Sequence, residues 1–225
     1  MRMDTTRIKM AGIVLAAGAG RRMGGGLGGK LLLPYRSAPL VVHVARKALA
    51  VCDLVVAVTG CNAEAVALAL RETTSVGLRI AHAPDWREGQ ARSLRAGLEA
   101  LALEMAEDIA GALVLLGDQP LVRLETLEAL AAVFRDHPRD FVAPRYRGKR
   151  GNPVCIPRAW FARVMALEGD AGARPLLDHP DAFLRLVDVM DSGVHRDVDT
   201  LEDYHALLRT RKSVPIHGSH PSLVD

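Results

Sequence analysis

The sequence predicts an α/β protein in which a mostly parallel sheet is covered by helices on both faces. Apolar runs such as DLVVAVT and ALVLL show no polar alternation, as is typical of strands buried on both sides. These runs alternate with segments that carry apolar residues at helical spacing. A chain of 225 residues that is 49% hydrophobic suits one domain that needs neither a disulfide nor a metal for stability.

The first half of the chain contains four strands, each followed by a helix. Ile13 begins a β-branched run that ends in small residues and glycine, which indicates a strand and a turn. Pro39 lies near the start of the first helix, and Asn62 is placed to cap the second. The predicted strands are 13–15, 53–59, 78–82 and 112–116, and the predicted helices are 39–51, 63–72, 89–104 and 121–135.

The second half is less regular. Short strands at 140–143 and 153–156 flank the basic loop YRGKRGN, and a late strand is predicted at 183–188. Helices are predicted at 158–167, 171–179 and 200–210, the last with Thr200 as its cap. From Arg211 the chain is polar and contains proline, so we expect a single domain over 1–210 and a disordered tail over 211–225.

Composition argues against several classes of protein. The net charge is only +3, and 4% of the residues are aromatic, which disfavours nucleic-acid binding. No apolar run is long enough to span a membrane, and the N-terminus lacks the core of a signal peptide. The three cysteines are widely spaced, which predicts reduced thiols and a cytoplasmic protein.

The stretch VLAAGAGRRMGGGLGGKLLLP follows the first strand and indicates an anion site. Its glycines at 18, 20 and 24 have the spacing GxGxxxG, which does not match the dinucleotide fingerprint, and the second strand ends without an acidic residue. Glycine-rich backbone and the cations Arg22 and Lys30 instead favour phosphate binding. The loop alone is equally compatible with a flexible surface segment that carries solvated charges.

Carboxylates follow a later strand and precede the last helix. Asp118 comes directly after ALVLL, at the strand end where such sheets bind ligands, and next to a triphosphate its natural partner is Mg²⁺. Asp197 and Asp199 are spaced i, i+2, so on an extended segment both face one side, and either of them could complete the metal site. The alternatives are a turn role for Asp118 and helix capping by Asp199 or Thr200.

Six motifs in order carry a resemblance to a known family. They are LAAGAGRRMG with KLLLP, DWREGQARSLRAG, GDQP, GNPV, GDAGARPLL and DVDTLED. In this order the chain resembles the molybdopterin nucleotidyltransferases, and LAAG rather than LAGG resembles their cytidylyl branch. The resemblance implies a Rossmann-like, three-layer nucleotidyltransferase fold and a Mg²⁺-dependent transfer of CMP from CTP to molybdopterin, with release of pyrophosphate.

The resemblance also implies roles for residues of this chain. It implies catalytic roles for Arg22, Lys30 and Asp118, with Lys30 less secure because five residues, mostly glycine, separate it from Gly24. It implies metal ligation by Asp118 and Asp199 and acceptor binding by Asn152, Asp170 and Asp197. The nucleotide-binding positions are Leu15, Ala16, Ala17, Gly18, Gly20, Arg22, Lys30, Ser93, Gly117 and Asp118.

Alternative functions stay open at this point. The same fold could use GTP, or another phosphorylated acceptor such as a sugar phosphate, because fold does not determine substrate. A non-catalytic molybdopterin carrier is a further alternative, although a carrier has no need of a triphosphate and metal site. The resemblance also implies a transient contact with a molybdenum hydroxylase that receives the product.

Overall fold

The computed structural model describes residues 8–20, 29–73, 76–105 and 109–209. Within these ranges the central sheet carries helices on both faces, which confirms the predicted fold class. The strands are Lys9–Ala16 (β1), Pro34–Tyr35 (β2), Ala38–Pro39 (β3), Leu54–Thr59 (β4), Leu78–His82 (β5), Ile109–Leu116 (β6), Phe141–Tyr146 (β7), Lys149–Arg150 (β8), Val154–Pro157 (β9) and Leu184–Asp188 (β10). The α-helices are Leu40–Val51 (α1), Ala63–Thr73 (α2), Gln90–Met105 (α3), Leu124–Asp136 (α4), Phe161–Met165 (α5), Arg174–Leu177 (α6) and Leu201–Arg209 (α7).

The sheet has the strand order β10-β7-β9-β6-β1-β4-β5, and β8 pairs with β7. Strand β1 pairs in parallel with both β4 and β6, whereas β9 is antiparallel to β6 and β7. From β1 the chain passes to β4 and β5 on one side and returns to β6 on the other. Since Leu15 of β1 pairs with Leu116 of β6, the loops that follow these strands begin side by side at a switch in strand order, where open sheets bind ligands.

Two apolar layers explain why the strands read as continuous hydrophobic runs. On β1, Met10 and Val14 pack against α1, α2 and α4 on one face of the sheet. Ala11 and Ile13 pack against α3 and α5 on the other face. Both sides of the strand are therefore buried, so polar residues have no exposed face to occupy.

A third, smaller cluster joins the residues around the β2–β3 hairpin to α7. Leu33, which precedes β2, and Leu40, the first residue of α1, pack with Val198 and with Leu207 of α7. The Tyr204 hydroxyl donates a hydrogen bond to the carbonyl oxygen of Pro34 at 2.6 Å. Helix α7 is thereby anchored on the segment that directly follows Lys30.

The structure confirms the predicted strands and the four helices of the first half, with shifted bounds, and corrects two helices of the second half. The helix predicted at 158–167 is a 3₁₀ turn, Arg158–Trp160, followed by the short α5, and the one predicted at 171–179 is only α6. The hairpin of β2 and β3 was not predicted, because two-residue strands carry no periodicity. The tail predicted at 211–225 lies outside the described residues, so the domain boundary stays a prediction.

No helix in the described part of the chain combines the length and the apolar character needed to cross a bilayer.

Candidate active site

A cavity of about 390 Å³ opens where β1 and β6 end. Its walls come from the loop after β1, from the 3₁₀ turn Trp86–Glu88, from the first turn of α3, and from the residues after β6. The lining residues are Leu15, Ala17, Gly18, Ala19, Gly20, Lys30, Leu31, Trp86, Arg87, Gly89, Gln90, Ser93, Asp118 and Asp170. A concave site of this size at the switch in strand order has the place and dimensions of a small-molecule site.

Most of the predicted nucleotide-binding residues lie in this cavity. It brings together Leu15, Ala17, Gly18, Gly20, Lys30, Ser93 and Asp118. Ala16 is fully buried in the core beneath the cavity and does not line it. Gly117 is also beneath it, because its backbone N–H continues the sheet by donating to the carbonyl oxygen of Leu15 at 2.9 Å. Arg22 lies outside the described residues.

Trp86 is a wall of the cavity that the sequence analysis did not place in the site. Its ring lies close to Gly60, where an added Cβ would be 2.7 Å from both Trp86 Cγ and Ala17 Cβ. A side chain at position 60 would therefore clash with both Trp86 and Ala17. The guanidinium of Arg87 lies 4.5 Å from the centroid of the Trp86 ring. The motif DWREGQARSLRAG was the available signal, since it contains Trp86, Arg87, Gln90 and Ser93.

Lys30 contacts two of the predicted carboxylates at once. Its Nζ lies 2.5 Å from Asp118 Oδ2 and 2.6 Å from Asp199 Oδ1. Lys30 is only 9% exposed, and both carboxylates converge on its single ammonium group. Segments that are 88 and 169 residues away from Lys30 in sequence thus meet at this point.

Burial and charge act in opposite directions within this triad. Burial by itself lowers the pKa of Lys30, but Asp118 and Asp199 outweigh it, so the pKa lies above its ordinary value of 10.5. Burial raises the pKa of Asp118 above its ordinary value of 3.8, and Lys30 opposes that shift. The lysine is therefore charged at neutral pH and compensates for the burial of the Asp118 carboxylate.

The segment before α7 distinguishes the two aspartates that the sequence left open. Asp199 faces Lys30, whereas Asp197 Oδ1 accepts a hydrogen bond from Gln119 Nε2 at 2.6 Å. The Val198 backbone N–H donates to the carbonyl oxygen of Asp118 at 3.0 Å, so the two acidic segments are joined through their backbones. This geometry favours Asp199 over Asp197 as the partner of Asp118.

Thr200 caps α7, as the alternative interpretation of this segment predicted. The Asp203 backbone N–H donates to Thr200 Oγ1 at 3.1 Å, and the Thr200 backbone N–H donates to Asp203 Oδ2 at 2.8 Å. This reciprocal pair is a capping box. Asp199 is thus not needed as the cap, and its carboxylate is available to Lys30.

Two polar side chains that the sequence analysis missed, the buried Asp191 and the half-buried Lys47, hold the loop after β6. Asp191 accepts hydrogen bonds from the backbone N–H of Arg123 and from the hydroxyl of Thr126, both at 2.8 Å. Lys47 of α1 donates to the carbonyl oxygens of Pro120 and Val122, both at 2.6 Å. Because these contacts fix residues 120–126, they also fix the backbone that carries Asp118. Their sequence neighbourhoods contain no motif that marks them.

The predicted acceptor-binding residues do not form one cluster. Asp170 lines the cavity, and its Oδ1 accepts a hydrogen bond from the Gln90 backbone N–H at the start of α3. Asn152 lies in the turn before β9, where its backbone N–H donates to the carbonyl oxygen of Val194 at 3.0 Å. Asp197 is held by Gln119. Among these three residues, only Asp170 contributes to the wall of the cavity.

The basic loop YRGKRGN forms the hairpin of β7 and β8. Arg145 pairs with Asp188 through two hydrogen bonds of 2.7 and 2.6 Å, and this pairing raises the pKa of Arg145 and lowers that of Asp188. Arg150 pairs with Asp178 at 3.1 Å, and Arg147 lies over the Tyr146 ring. Pairing with acidic residues therefore offsets half of the four positive charges in this hairpin.

The residues around Lys30 fit a divalent cation. Asp118 Oδ1 is buried and has no hydrogen-bond partner among the residues that the structure describes. Within the same ranges, no group of three or more His, Cys, Asp or Glu side chains is arranged to hold a metal. A cation here would use the oxygens of Asp118 and Asp199 and complete its shell with phosphate oxygens, which is a common arrangement for Mg²⁺.

One protein-family model matches most of the chain. Residues 12–185 match the family model described as the MobA-like NTP transferase domain. A nicotine blue oxidoreductase of Paenarthrobacter nicotinovorans is 35% identical over 214 residues, which cover 91% of this chain and 99% of the relative. A molybdenum cofactor guanylyltransferase of Rhodobacter capsulatus is 32% identical over 191 residues, which cover 80% of this chain and 90% of that protein.

Solved structures of similar proteins include Rv0371c from Mycobacterium tuberculosis. Its crystal structure is 28% identical, with a TM-score of 0.72, and the match covers 91% of this chain and 100% of that one. A manganese complex of the same protein matches with a TM-score of 0.70 and 28% identity, over 90% of this chain and 99% of that one.

Proposed function

This chain belongs to the MobA-like NTP transferase family, a family of nucleotidyltransferases, and from that premise we propose that it transfers CMP from CTP to molybdopterin. The observation that carries the proposal is the convergence of Lys30, Asp118 and Asp199 beside a glycine-lined cavity at the ends of β1 and β6. Such a constellation suits a triphosphate, which needs both fixed positive charge and a metal-binding carboxylate.

The reaction needs positioning and neutralisation of charge more than it needs a base. A terminal phosphate oxygen of the acceptor attacks the α-phosphorus of the nucleotide, and the bond from that phosphorus to the bridging oxygen of pyrophosphate breaks. The attacking oxygen is already anionic, so no side chain has to remove a proton. We assign Lys30, together with Arg22, to hold the phosphates and to offset the charge of two approaching anions.

A divalent cation bound by Asp118 and Asp199 would add positive charge at the phosphate oxygens. We propose Mg²⁺, and the manganese complex of the M. tuberculosis relative supports a divalent metal in this family. The buried Asp118 Oδ1 supports the same assignment from within this chain.

Ala17 supports CTP as the nucleotide. Its side chain lines the cavity and, with Trp86, closes the space beside Gly60. Glycine at this position, as in the LAGG of guanylyltransferases, would leave more room for a purine. The R. capsulatus relative supports GTP instead, so the two bases have to be compared directly.

A second candidate function comes from the relative that is named an oxidoreductase. That protein matches nearly its whole length and 91% of this chain. The spacing of Gly18, Gly20 and Gly24 and the absence of an acidic residue at the end of β4 both argue against a classical nicotinamide dinucleotide site here. The oxidoreductase function is nevertheless tested in the first assay, because the match to that relative covers nearly its whole length.

The deciding experiment measures pyrophosphate release by the purified protein with Mg²⁺, molybdenum-loaded molybdopterin and CTP, GTP or ATP in separate reactions. Parallel samples contain NADH or NADPH with nicotine blue, the compound in the name of that relative, as the electron acceptor, and they record binding and oxidation of the cofactor. Release with CTP alone supports the proposal, and Ala17→Gly should then shift preference toward GTP. Release with GTP alone would overturn the assignment of the base but not of the reaction.

Absence of pyrophosphate release with all three nucleotides would contradict the proposal. Tight binding or oxidation of a nicotinamide cofactor would then favour the oxidoreductase. Binding of molybdopterin without turnover would favour a carrier, and binding of neither would indicate another phosphorylated acceptor. The cytoplasmic location and the contact with a molybdenum hydroxylase remain parts of the proposal that depend on a positive result.

A further inference from the structure

We propose that Lys30 is an internal counter-cation that closes the carboxylate site of the nucleotide-free protein, so that a divalent cation binds there only when a triphosphate draws the lysine away. This inference rests on the proposed nucleotidyltransferase function, which supplies the triphosphate. It assigns to Lys30 a second role besides phosphate binding, namely control of the order in which metal and nucleotide bind.

The first support is that Lys30 occupies the position between the carboxylates. Its Nζ is 2.5 Å from Asp118 Oδ2 and 2.6 Å from Asp199 Oδ1, so it occupies one oxygen of each carboxylate that would bind the metal ion. The ammonium adds one positive charge where a divalent cation would add two. A cation that enters while Lys30 is in place is therefore repelled by a buried positive charge at close range.

The second support is that the backbone of Lys30 is fixed while its side chain is long. The Leu33 backbone N–H donates to the Lys30 carbonyl oxygen at 3.2 Å, and the neighbouring Leu31 and Leu33 are both buried. Only rotation about the side-chain bonds is needed to turn the ammonium from the carboxylates toward a phosphate. A four-carbon stem with a compact charge is suited to such a movement.

The third support is that the stem lies along the anion-binding loop. A Cβ at Gly20, where φ is +57°, would lie only 2.9 Å from Lys30 Cγ. Lys30 therefore runs past the loop that is proposed to hold the phosphates before it reaches Asp118. A triphosphate on this loop would offer several negative charges beside the stem, and these compete with Asp118 and Asp199 for the ammonium.

The consequence is a coupling between two ligands. If a triphosphate relocates Lys30, it raises the affinity of the carboxylates for a divalent cation, and linkage requires the cation to raise triphosphate affinity by the same factor. In the nucleotide-free protein the affinity for a divalent cation is then weak because the site already holds a positive charge.

The test is a titration of the nucleotide-free protein with Mn²⁺, in which electron paramagnetic resonance measures the free ion. We expect Lys30→Met to bind Mn²⁺ about tenfold more tightly than the wild type, within the range of roughly 5- to 150-fold found for coupled sites. Lys149→Met is the matched control, because it removes an equal charge from an exposed lysine on β8. Its Mn²⁺ affinity should equal that of the wild type.

Two further variants locate the effect. Lys30→Arg keeps the positive charge and should bind Mn²⁺ as weakly as the wild type. Lys30→Met combined with Asp118→Asn should lose the gain, which places the added ion at these carboxylates. If Lys30→Met does not fold, Lys30→Gln replaces it, since an amide is neutral but still donates to the carboxylates.

Equal Mn²⁺ affinity of the wild type and the neutral variants would overturn the proposal. So would tight binding by Lys30→Arg, because the charge would then not be the cause. These titrations contain no nucleotide, so they test the role of Lys30 separately from turnover. A protein that fails to use CTP can still confirm Lys30 as the counter-cation, and an active protein can still refute it.

Discussion

Asp118 meets two different requirements with its two carboxylate oxygens. Oδ2 contacts Lys30, whereas Oδ1 is buried without a hydrogen-bond partner among the described residues. A buried polar atom of this kind is costly unless a ligand satisfies it. Oδ1 is therefore the oxygen of Asp118 that stays open to a cation once Lys30 has turned away.

Asp118→Asn should reduce CTP-dependent pyrophosphate release by at least about 100-fold, the usual order for loss of one group that stabilises charge in a reaction. The amide preserves shape but cannot offer a charged oxygen to a metal. Asp178→Asn, which removes an exposed carboxylate paired with Arg150, is the control and should retain activity. Near-normal turnover by Asp118→Asn would remove this residue from the site.

Lys47 gives a pH-dependent prediction. Burial lowers the pKa of Lys47 from 10.5 to about 8, and nearby Asp191 only partly opposes this shift. The unfolded chain thus binds more protons than the folded one between these two values, so folding becomes more favourable as pH rises from about 8 toward 10.5. A neutral amine keeps two N–H groups, which suffice for the carbonyl oxygens of Pro120 and Val122.

The free energies of unfolding of the wild type and of Lys47→Met, measured in urea, should therefore move apart as pH rises from about 8 toward 10.5. The wild type should gain up to about 3 kcal/mol relative to the variant across this interval. Loss of these hydrogen bonds shifts the difference in the free energy of unfolding by a constant amount. It does not change how that difference varies with pH. A constant difference in the free energy of unfolding would show that Lys47 is not perturbed by burial.

The sequence could predict which single residues belong to the site, but not which residues they contact there. Asp118 and Gly18 were predictable because strand ends meet at one edge of a parallel sheet. Ala16 was assigned to the nucleotide with its neighbours, yet the alternation of side chains along β1 directs it into the core. The approach of Lys30 to Asp199 depends on contacts across 169 residues, for which a single sequence holds no local signal.

Among the elements, α7 shows how a local cap serves the site. Its capping box occupies Thr200 and Asp203, and hydrogen bonds from Thr200 lower the pKa of Asp203. This stabilisation is complete above the ordinary pKa of 3.8 and is lost as pH falls through the lower folded-state value. Asp199 directly precedes the box, so the cap also sets the direction of its side chain.

Asp203→Ala should lower the free energy of unfolding by about 1 kcal/mol at pH 7, the typical effect of losing a cap. The exposed Glu202, in the same turn, provides the control Glu202→Ala. The difference in the free energy of unfolding between Asp203→Ala and the wild type should shrink as pH falls. Protonation then removes the charge of the Asp203 carboxylate, which stabilises only the wild type. Denaturant titrations at pH 7 and near pH 3 would contradict the role of the cap if this difference did not change.

The elements that the sequence predicted are those with a clear period or a long apolar run. Strands β4 and β6 and helices α1 and α4 belong to this class, because burial in the sheet or against it determines their composition. The 3₁₀ turn that begins at Lys30 and the β2–β3 hairpin are different. The turn packs through Leu31 on the main core, and the hairpin packs through Tyr35 in the cluster that contains Leu207 of α7. Neither contact can be inferred from the residues of these short segments.

At the scale of the whole molecule, helix α7 completes the site through a small apolar contact with a distant part of the chain. Leu207 is 1% exposed and packs with Leu33 and Leu40, whereas its neighbour Leu208 is 37% exposed. Leu207→Ala should cost about 2–5 kcal/mol of stability. It should also reduce turnover, because undocking of α7 would move Asp199 away from Lys30.

Leu208→Ala makes the same chemical change one residue away and should alter stability by less than about 1 kcal/mol. Thermal melts and pyrophosphate release would be measured on both variants. Equal losses in the two would show that α7 does not act through the contact of Leu207 with the hairpin.

The docking of α7 on the hairpin also bears on how the protein is made. Lys30 leaves the ribosome early in synthesis, but Asp199 and the helix that covers Leu33 and Leu40 emerge only after most of the sheet has been translated. Until then the nascent chain exposes the apolar side chains of Leu33, Tyr35 and Leu40, and exposed apolar surface of this kind makes incomplete chains prone to aggregation. A chain that ends before Asp199 would therefore lack one carboxylate of the site as well as the helix that covers Leu33 and Leu40.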